Sequence, residues 1–156
     1  MTRKHSVAGL QLAARGALAA GLSVGLARAL HLPSPLHALI STVLVIDLDP
    51  RQTPRLGIPR LAGTVLGAVL GAVLSTFVGS SALAIGAGVF LAMLLCHLFR
   101  FDEAAKVGGY VCGIVLLNYG SAPWPYAAER VVETSVGIVV AILVSFVPKL
   151  LSAGES

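Results

Sequence analysis

The stretch RLGIPRLAGTVLGAVLGAVLSTFV, residues 55–78, decides the fold. At helical spacing Arg60, Gly63, Thr64, Gly67, Gly71 and Ser75 fall on one stripe, while Leu61, Val65, Leu66, Val69, Leu70 and Val73 cover the rest. This is an apolar helix with one small, polar face headed by a cation. About 70 residues later RVVETSVGIVVAILVS, residues 130–145, puts Arg130, Glu133, Thr134, Gly137, Ala141 and Ser145 at the matching positions. Glutamate for glycine is the one change of character, so the chain carries two copies of one helix.

The composition around these copies excludes an ordinary water-soluble surface: 56% of the 156 residues are hydrophobic and only 12% are charged. The chain reads as an all-α membrane protein. Its 17 glycines are concentrated in apolar runs, where they suit helices packed through small residues, because in lipid close backbone approach replaces the hydrophobic effect as the source of helix association. Cys96 and Cys112 sit in apolar segments and define no disulfide framework. The net charge of +4 comes from cations scattered between apolar runs rather than clustered with aromatics. That pattern fits orientation in a bilayer, not nucleic acid.

Six apolar segments follow one another in a single transmembrane domain, at approximately 6–30, 35–48, 59–78, 81–98, 104–119 and 127–147. Ala27, Arg28 and Ala29 resemble a signal-peptide cleavage site, but Arg15 interrupts the apolar run before them, so the first segment reads as a membrane helix. Pro59 reads as the start of the third helix. The second and fifth segments are short for a span of about 20 residues. The fifth, which contains Lys106, Tyr110 and Asn118, is either broken or shielded by its neighbours. Tyr119, Trp124 and Tyr126 fall where an interfacial aromatic belt belongs.

With six crossings, Arg3, Lys4, Arg51, Arg55, Arg60, Arg100, Lys106 and Lys149 lie on one side and only Arg28 and Arg130 near the other. The positive-inside rule then places both termini in the cytoplasm and makes the repeat an inverted one, three helices plus three. A four-helix count, with the second and fifth segments partly inserted, is the other reading.

Several residues are candidates for function. Arg60 and Arg130, each read at a first helical turn, would make an electropositive route for organic anions, with Thr64 and Thr134 beside them. For Arg60 the competing reading is a topological anchor, and for Arg130 an ion pair with Glu133 or Glu129. Glu133 is a salt-bridge partner or a proton carrier, the former preferred. Arg15, roughly 13 Å into its helix, needs a carboxylate or a wet cavity, and Asp47 is the partner the topology brings nearest. Gly63, Gly67, Gly71 and Gly137 are helix-packing positions. His37 and His97 have no second ligand at metal spacing, and there is no phosphate loop, nucleophile elbow or Cys-x-x-Cys. Neither a metal, a cofactor nor catalysis is expected.

The runs HLPSPLHALISTVLVIDLDP, RLAGTVLGAVLGAVLS and ERVVETSVGIVVAILV together resemble the membrane domain of the fusaric acid resistance and aromatic acid exporter superfamily. Its members show Arg-x-x-Gly-Thr-x-x-Gly in the third helix, matched by Arg60, Gly63, Thr64 and Gly67. They show Arg-x-x-Glu-Thr-x-x-Gly in the last, matched by Arg130, Glu133, Thr134 and Gly137. The resemblance implies efflux of aromatic or other carboxylic acids, driven by the proton-motive force, across a bacterial inner membrane. It also implies, through the similar plant malate channels, that Arg60 and Arg130 contact anions. Two departures stand out. Pro35-Leu36-His37 lacks the aromatic that often follows the proline opening the second helix, and the chain has neither the long cytoplasmic domain nor the duplicated membrane half of many relatives. It resembles a half-size form, for which a homodimer is the economical full transporter. The alternatives are a passive organic-anion channel and a non-transporting packing or assembly subunit.

Overall fold

A computed structural model describes residues 2–118 and 122–147, with side chains from residue 8 onward. The described residues form six helices and no strand: α1 (Thr2–Ala29), α2 (Pro35–Val45), α3 (Gln52–Val78), α4 (Ala82–Leu98), α5 (Ala105–Leu117) and α6 (Pro123–Ser145). One 3₁₀ turn, Asp102–Ala104, precedes α5. Two stretches are long and apolar enough to cross a membrane, Ala8–Ala29 and Gln52–Val78. The aromatic-belt residue Tyr119 and the cation Lys149 lie outside the described residues, as do the side chains of Arg3 and Lys4.

The helix starts correct the sequence expectation. Helix α3 begins seven residues before Pro59, which lies inside it. The preceding loop explains the early start: Asp47 Oδ1 accepts from the Asp49 N–H at 2.9 Å, and Asp49 Oδ1 accepts from the Arg51 N–H at 2.9 Å. The Gln52 N–H then bonds to the Asp49 carbonyl at 2.9 Å. Two successive Asx turns wind the chain into the helix, and Pro54 falls in the first turn, where a missing N–H costs nothing. Pro59 removes the donor that the Arg55 carbonyl would use, which a helix packed among neighbours tolerates. Likewise α6 starts at Pro123 rather than 127, with Pro123 and Pro125 in its first turn. Helix α2 ends at Val45, leaving Asp47 in the loop.

The chain divides into two compact units. One comprises α1, α2, the beginning of α3 to Gly57 and α6 from Ser135; the other is Ile58–Thr134. In the first, α6 lies on α2 at backbone distance: a Cβ at Gly137 would strike the Ala38 carbonyl and come 2.9 Å from Ser41 Cβ. The Thr42 hydroxyl sits within reach of two carbonyls, Ala38 at 2.8 Å and Gly137 at 2.9 Å. A cavity of about 390 Å³ beside α1 and α2 is lined by apolar residues, among them Leu12, Gly16 and Val43.

In the second unit α5 is the central element, with Gly108, Gly109, Val111, Cys112, Gly113, Val115 and Leu116 all buried. Lys106, Tyr110 and Leu117 stay exposed, and the rest of the short fifth helix is shielded by its neighbours. The α3 glycines close on it: a Cβ at Gly63 would lie 2.8 Å from Val107 Cβ, one at Gly67 would land on the Gly108 carbonyl, and one at Gly71 would lie 2.8 Å from Val115 Cβ. Helix α4 packs on another side, where Gly109 meets Met93 and Gly88 meets Leu116. Cys96 and Cys112 are free and buried.

Local features recur at a spacing of about 70 residues. Helix α1 ends with His31 at φ 55° and a Leu32 N–H to Ala27 carbonyl bond of 2.9 Å; α4 ends with Arg100 at φ 60° and a Phe101 N–H to Cys96 carbonyl bond of 2.8 Å. Both are the left-handed helix stop in which the chain folds back on its last turn. The closest glycine seams, Gly67 on Gly108 and Gly137 on Ala38, keep the same spacing. So do the hydroxyl bonds of Ser75 to the Ala72 carbonyl and of Ser145 to the Ile142 carbonyl.

Candidate anion-contacting site

Because α3 and α6 start early, neither stripe arginine is at a first turn. Arg60 is the ninth residue of α3 and Arg130 the eighth of α6, about 10–12 Å in at 1.5 Å per residue. The expectation that they sit at the first turns of their helices is therefore corrected: each lies about two turns inside. Both guanidinium groups are instead enclosed, Arg60 at 6% exposure and Arg130 at 2%.

Each arginine is met by a tyrosine. Arg60 Nη2 donates to the Tyr110 hydroxyl at 3.0 Å, and its Cζ lies 5.9 Å from the Tyr110 ring centroid. Arg130 Cζ lies 4.6 Å from the Tyr126 centroid, well inside cation–π range. Arg130 Nη2 also bonds to Glu133 Oε1 at 3.0 Å and lies 2.8 Å from Oε2. Glu133 is thus in ion-pair contact with Arg130. Both side chains are buried, so this pair is held where water screens it least.

The threonines of the stripe are buried as well. Thr64 is fully enclosed and its hydroxyl bonds back to the Arg60 carbonyl at 2.9 Å, the usual use of a threonine inside a helix. Thr134 is 2% exposed. The stripe glycines Gly63, Gly67 and Gly71 are taken up by α5 of the same chain. They form an intramolecular seam rather than a surface left for a partner.

The expected pairing of Arg15 with Asp47 is not formed. Arg15 Nη1 donates to the Leu48 carbonyl at 2.9 Å and Nη2 to the Val147 carbonyl at 2.7 Å, while the Asp47 carboxylate is turned to Asp49. Both carbonyls lie just beyond helix C-termini, those of α2 and α6. A bond from a charged donor is stronger than a neutral one, so Arg15 is held here without a carboxylate. Replacing Arg15 by leucine is expected to lower unfolding stability in detergent by about 1–3 kcal/mol, since two part-buried carbonyls lose a charged donor. It should also speed amide exchange in the chain following α2 and α6. Unchanged exchange there would show that the tie carries no energy.

Tyr126 and Tyr110 are the site residues missed from sequence. Tyr126 stands four residues before Arg130, a spacing at which side chains on a helix meet, so its signal was present but was read as an interfacial belt. Tyr110 is 50 residues from Arg60, and no local pattern joins them. His97, for its part, pairs with Asp102 across the Arg100 turn, both exposed. No cluster of three metal-ligating side chains exists among the described residues. Beside that turn a cavity of about 320 Å³ is lined by Pro59, Arg100, Phe101, Asp102 and Glu103. Its carboxylates make it a poor resting place for an anion.

No curated protein and no solved structure matches the chain. A family model does: the one described as aromatic acid exporter family member 1 matches residues 12–147. That span includes both arginine motifs and every helix except the first turns of α1. The chain belongs to the aromatic acid exporter family.

Proposed function

We propose that this protein exports aromatic and related organic carboxylates across a bacterial inner membrane, as a homodimer with both termini in the cytoplasm. The observation that carries the reading is the pair of guanidinium groups, Arg60 and Arg130, enclosed two turns inside α3 and α6 of a chain in an exporter family. Ionised side chains at such depth are costly in a membrane and mark substrate paths. Arg60 and Thr64 on α3, with Arg130 and Thr134 on α6, are the residues assigned to the path. Gly63, Gly67, Gly71 and Gly137 hold the helices that carry them.

The six helices form a transmembrane bundle built as a 3+3 inverted repeat. The recurring helix stops, glycine seams and serine bonds support the repeat, and the bias of cations to one side supports the inversion. A negative cell interior drives a monoanion outward by about 2.3 kcal/mol per 100 mV, so export along the potential needs no proton-carrying residue. Glu133, held by Arg130, serves as its counter-charge.

The test is flux from proteoliposomes. Wild-type protein should release benzoate under an imposed potential, and Arg60→Gln should lower the rate by at least about tenfold, as expected when a charged contact worth more than about 1.4 kcal/mol is lost. Equal rates for the two would sink the path. Flux that persists when the proton gradient is collapsed at fixed potential is the outcome expected of export along the potential, by an exporter or a passive channel alike; flux that collapses with the gradient would show proton coupling instead.

A further inference from the structure

The buried stripes of α1 and α4 match residue for residue. On α1 the buried positions are Arg15, Ala19, Ser23 and Ala27; on α4 they are Ala84, Gly88, Ala92 and Cys96. The two stripes end on the carbonyls that close the two helix stops, Ala27 and Cys96, so Arg15 in one half answers to Ala84 in the other. The seams match too. Gly137 closes on Ala38, and about three turns further on stand Val147 and Leu48; Gly67 closes on Gly108, and at the same remove stand Phe77 and Asn118. At the first pair of ends Arg15 Nη1 donates to the Leu48 carbonyl at 2.9 Å and Nη2 to the Val147 carbonyl at 2.7 Å. At the second pair, alanine has no side chain that could do so. There the Ala84 N–H is taken by the Ser81 hydroxyl at 3.2 Å, the Asn118 side chain turns back to the Ile114 carbonyl at 3.2 Å, and Phe77 is 81% exposed.

We infer that Arg15 is a one-sided latch: it clamps the ends of α2 and α6, while the matching ends of α5 and α3 are left to open first. Under the topology proposed above the clamped end is the cytoplasmic one, and the consequence for transport rests on that reading. A planar guanidinium suits the task, because its fixed fork of donors spans two acceptors at once. The tie is also one that can be released. Both acceptors are neutral carbonyls, and the buried Arg15 Nε has no hydrogen-bond partner among the described residues, so two hydrogen bonds carry the whole hold. In a transporter built from two repeats, access changes side when the helix ends at one face part and those at the other stay closed. Arg15 keeps the cytoplasmic end closed between transport events, and opening it there means breaking the bond to Val147 at the end of α6.

Amide hydrogen exchange of the full-length protein in detergent reads the latch apart from transport. The N–H groups of Ile46, Val147 and Asn118 are each hydrogen-bonded to a carbonyl of the preceding turn. In the wild type Ile46 and Val147, at the clamped ends, should exchange more slowly than Asn118. Arg15→Leu should speed Ile46 and Val147 by about tenfold or more, the range for lost bonds from a charged donor, and leave Asn118 unchanged. Arg15→Lys keeps the charge but loses the fork; it should fall between the two, and it serves if the leucine variant does not fold. In liposomes Arg15→Lys should raise benzoate release by at least about threefold, as expected when opening of a gate limits turnover. A residue that only supports the fold gives the opposite sign. Exchange that rises equally at all three amides, or release that fails to rise while the wild type transports, would overturn the latch. Exchange as predicted with no benzoate release by the wild type would leave the latch standing and sink the transport reading.

Discussion

Replacing Glu133 by alanine is expected to lower the stability of the folded protein by about 3–5 kcal/mol, the range for removing one partner of a buried ion pair. Its side chain is fully buried and that of Arg130 is 3% exposed, so the guanidinium has little water to turn to when the carboxylate goes. The Tyr126 ring at 4.6 Å offsets part of that loss and cannot replace a full charge. Glu133→Gln should fall between, because the amide keeps an acceptor oxygen and gives up the charge. The double replacement Arg130→Leu with Glu133→Leu should recover most of the stability, since an apolar pair of similar volume avoids the cost of burying two charges. Unfolding midpoints in one detergent measure all four proteins. Additive losses in the double variant would show that the two side chains act independently.

A comparable loss is expected from Gly67→Val. The Cβ that any other residue carries would land on the Gly108 carbonyl, and backbone cannot rotate aside as a side chain can. Helices α3 and α5 would have to separate along the whole seam from Gly63 to Gly71. Alanine should cost about 1–3 kcal/mol, as for ordinary overpacking, and valine more, to the point of losing folded protein. Gly25→Ala is the control: nothing lies within 4 Å of the added methyl, and exchange of glycine for alanine inside a helix stabilises by up to about 1 kcal/mol. If Gly67→Ala and Gly25→Ala melt alike, the seam is not close-packed.

Much of this architecture was legible along the chain. Glycines every fourth residue from Gly63 to Gly71 mark one face whatever lies against it, because helical spacing fixes which residues share a side. Arg130 and Glu133 stand three apart, so their pairing is a local matter. Pro59 misled because proline more often opens a helix than sits inside one. The true start is set by the side chains of Asp47 and Asp49 folding onto the backbone. That error placed Arg60 at a helix end when it lies two turns deep, and α6 was shifted in the same sense by Pro123 and Pro125.

The partners of the charged groups were the least legible. Arg15 is held by backbone carbonyls 33 and 132 residues away, and a carbonyl is the same at every position, so no residue type announces it. The sequence by itself determined that the chain is built of apolar helices, that two of them share a motif, and that glycines line their close faces, because periodicity and composition are local properties. Only the tertiary structure decided that α5 fills the α3 stripe, that the Leu48 and Val147 carbonyls hold Arg15, and that Tyr110 stands at Arg60. Those contacts join residues the chain keeps apart, and packing, not pattern, selects them.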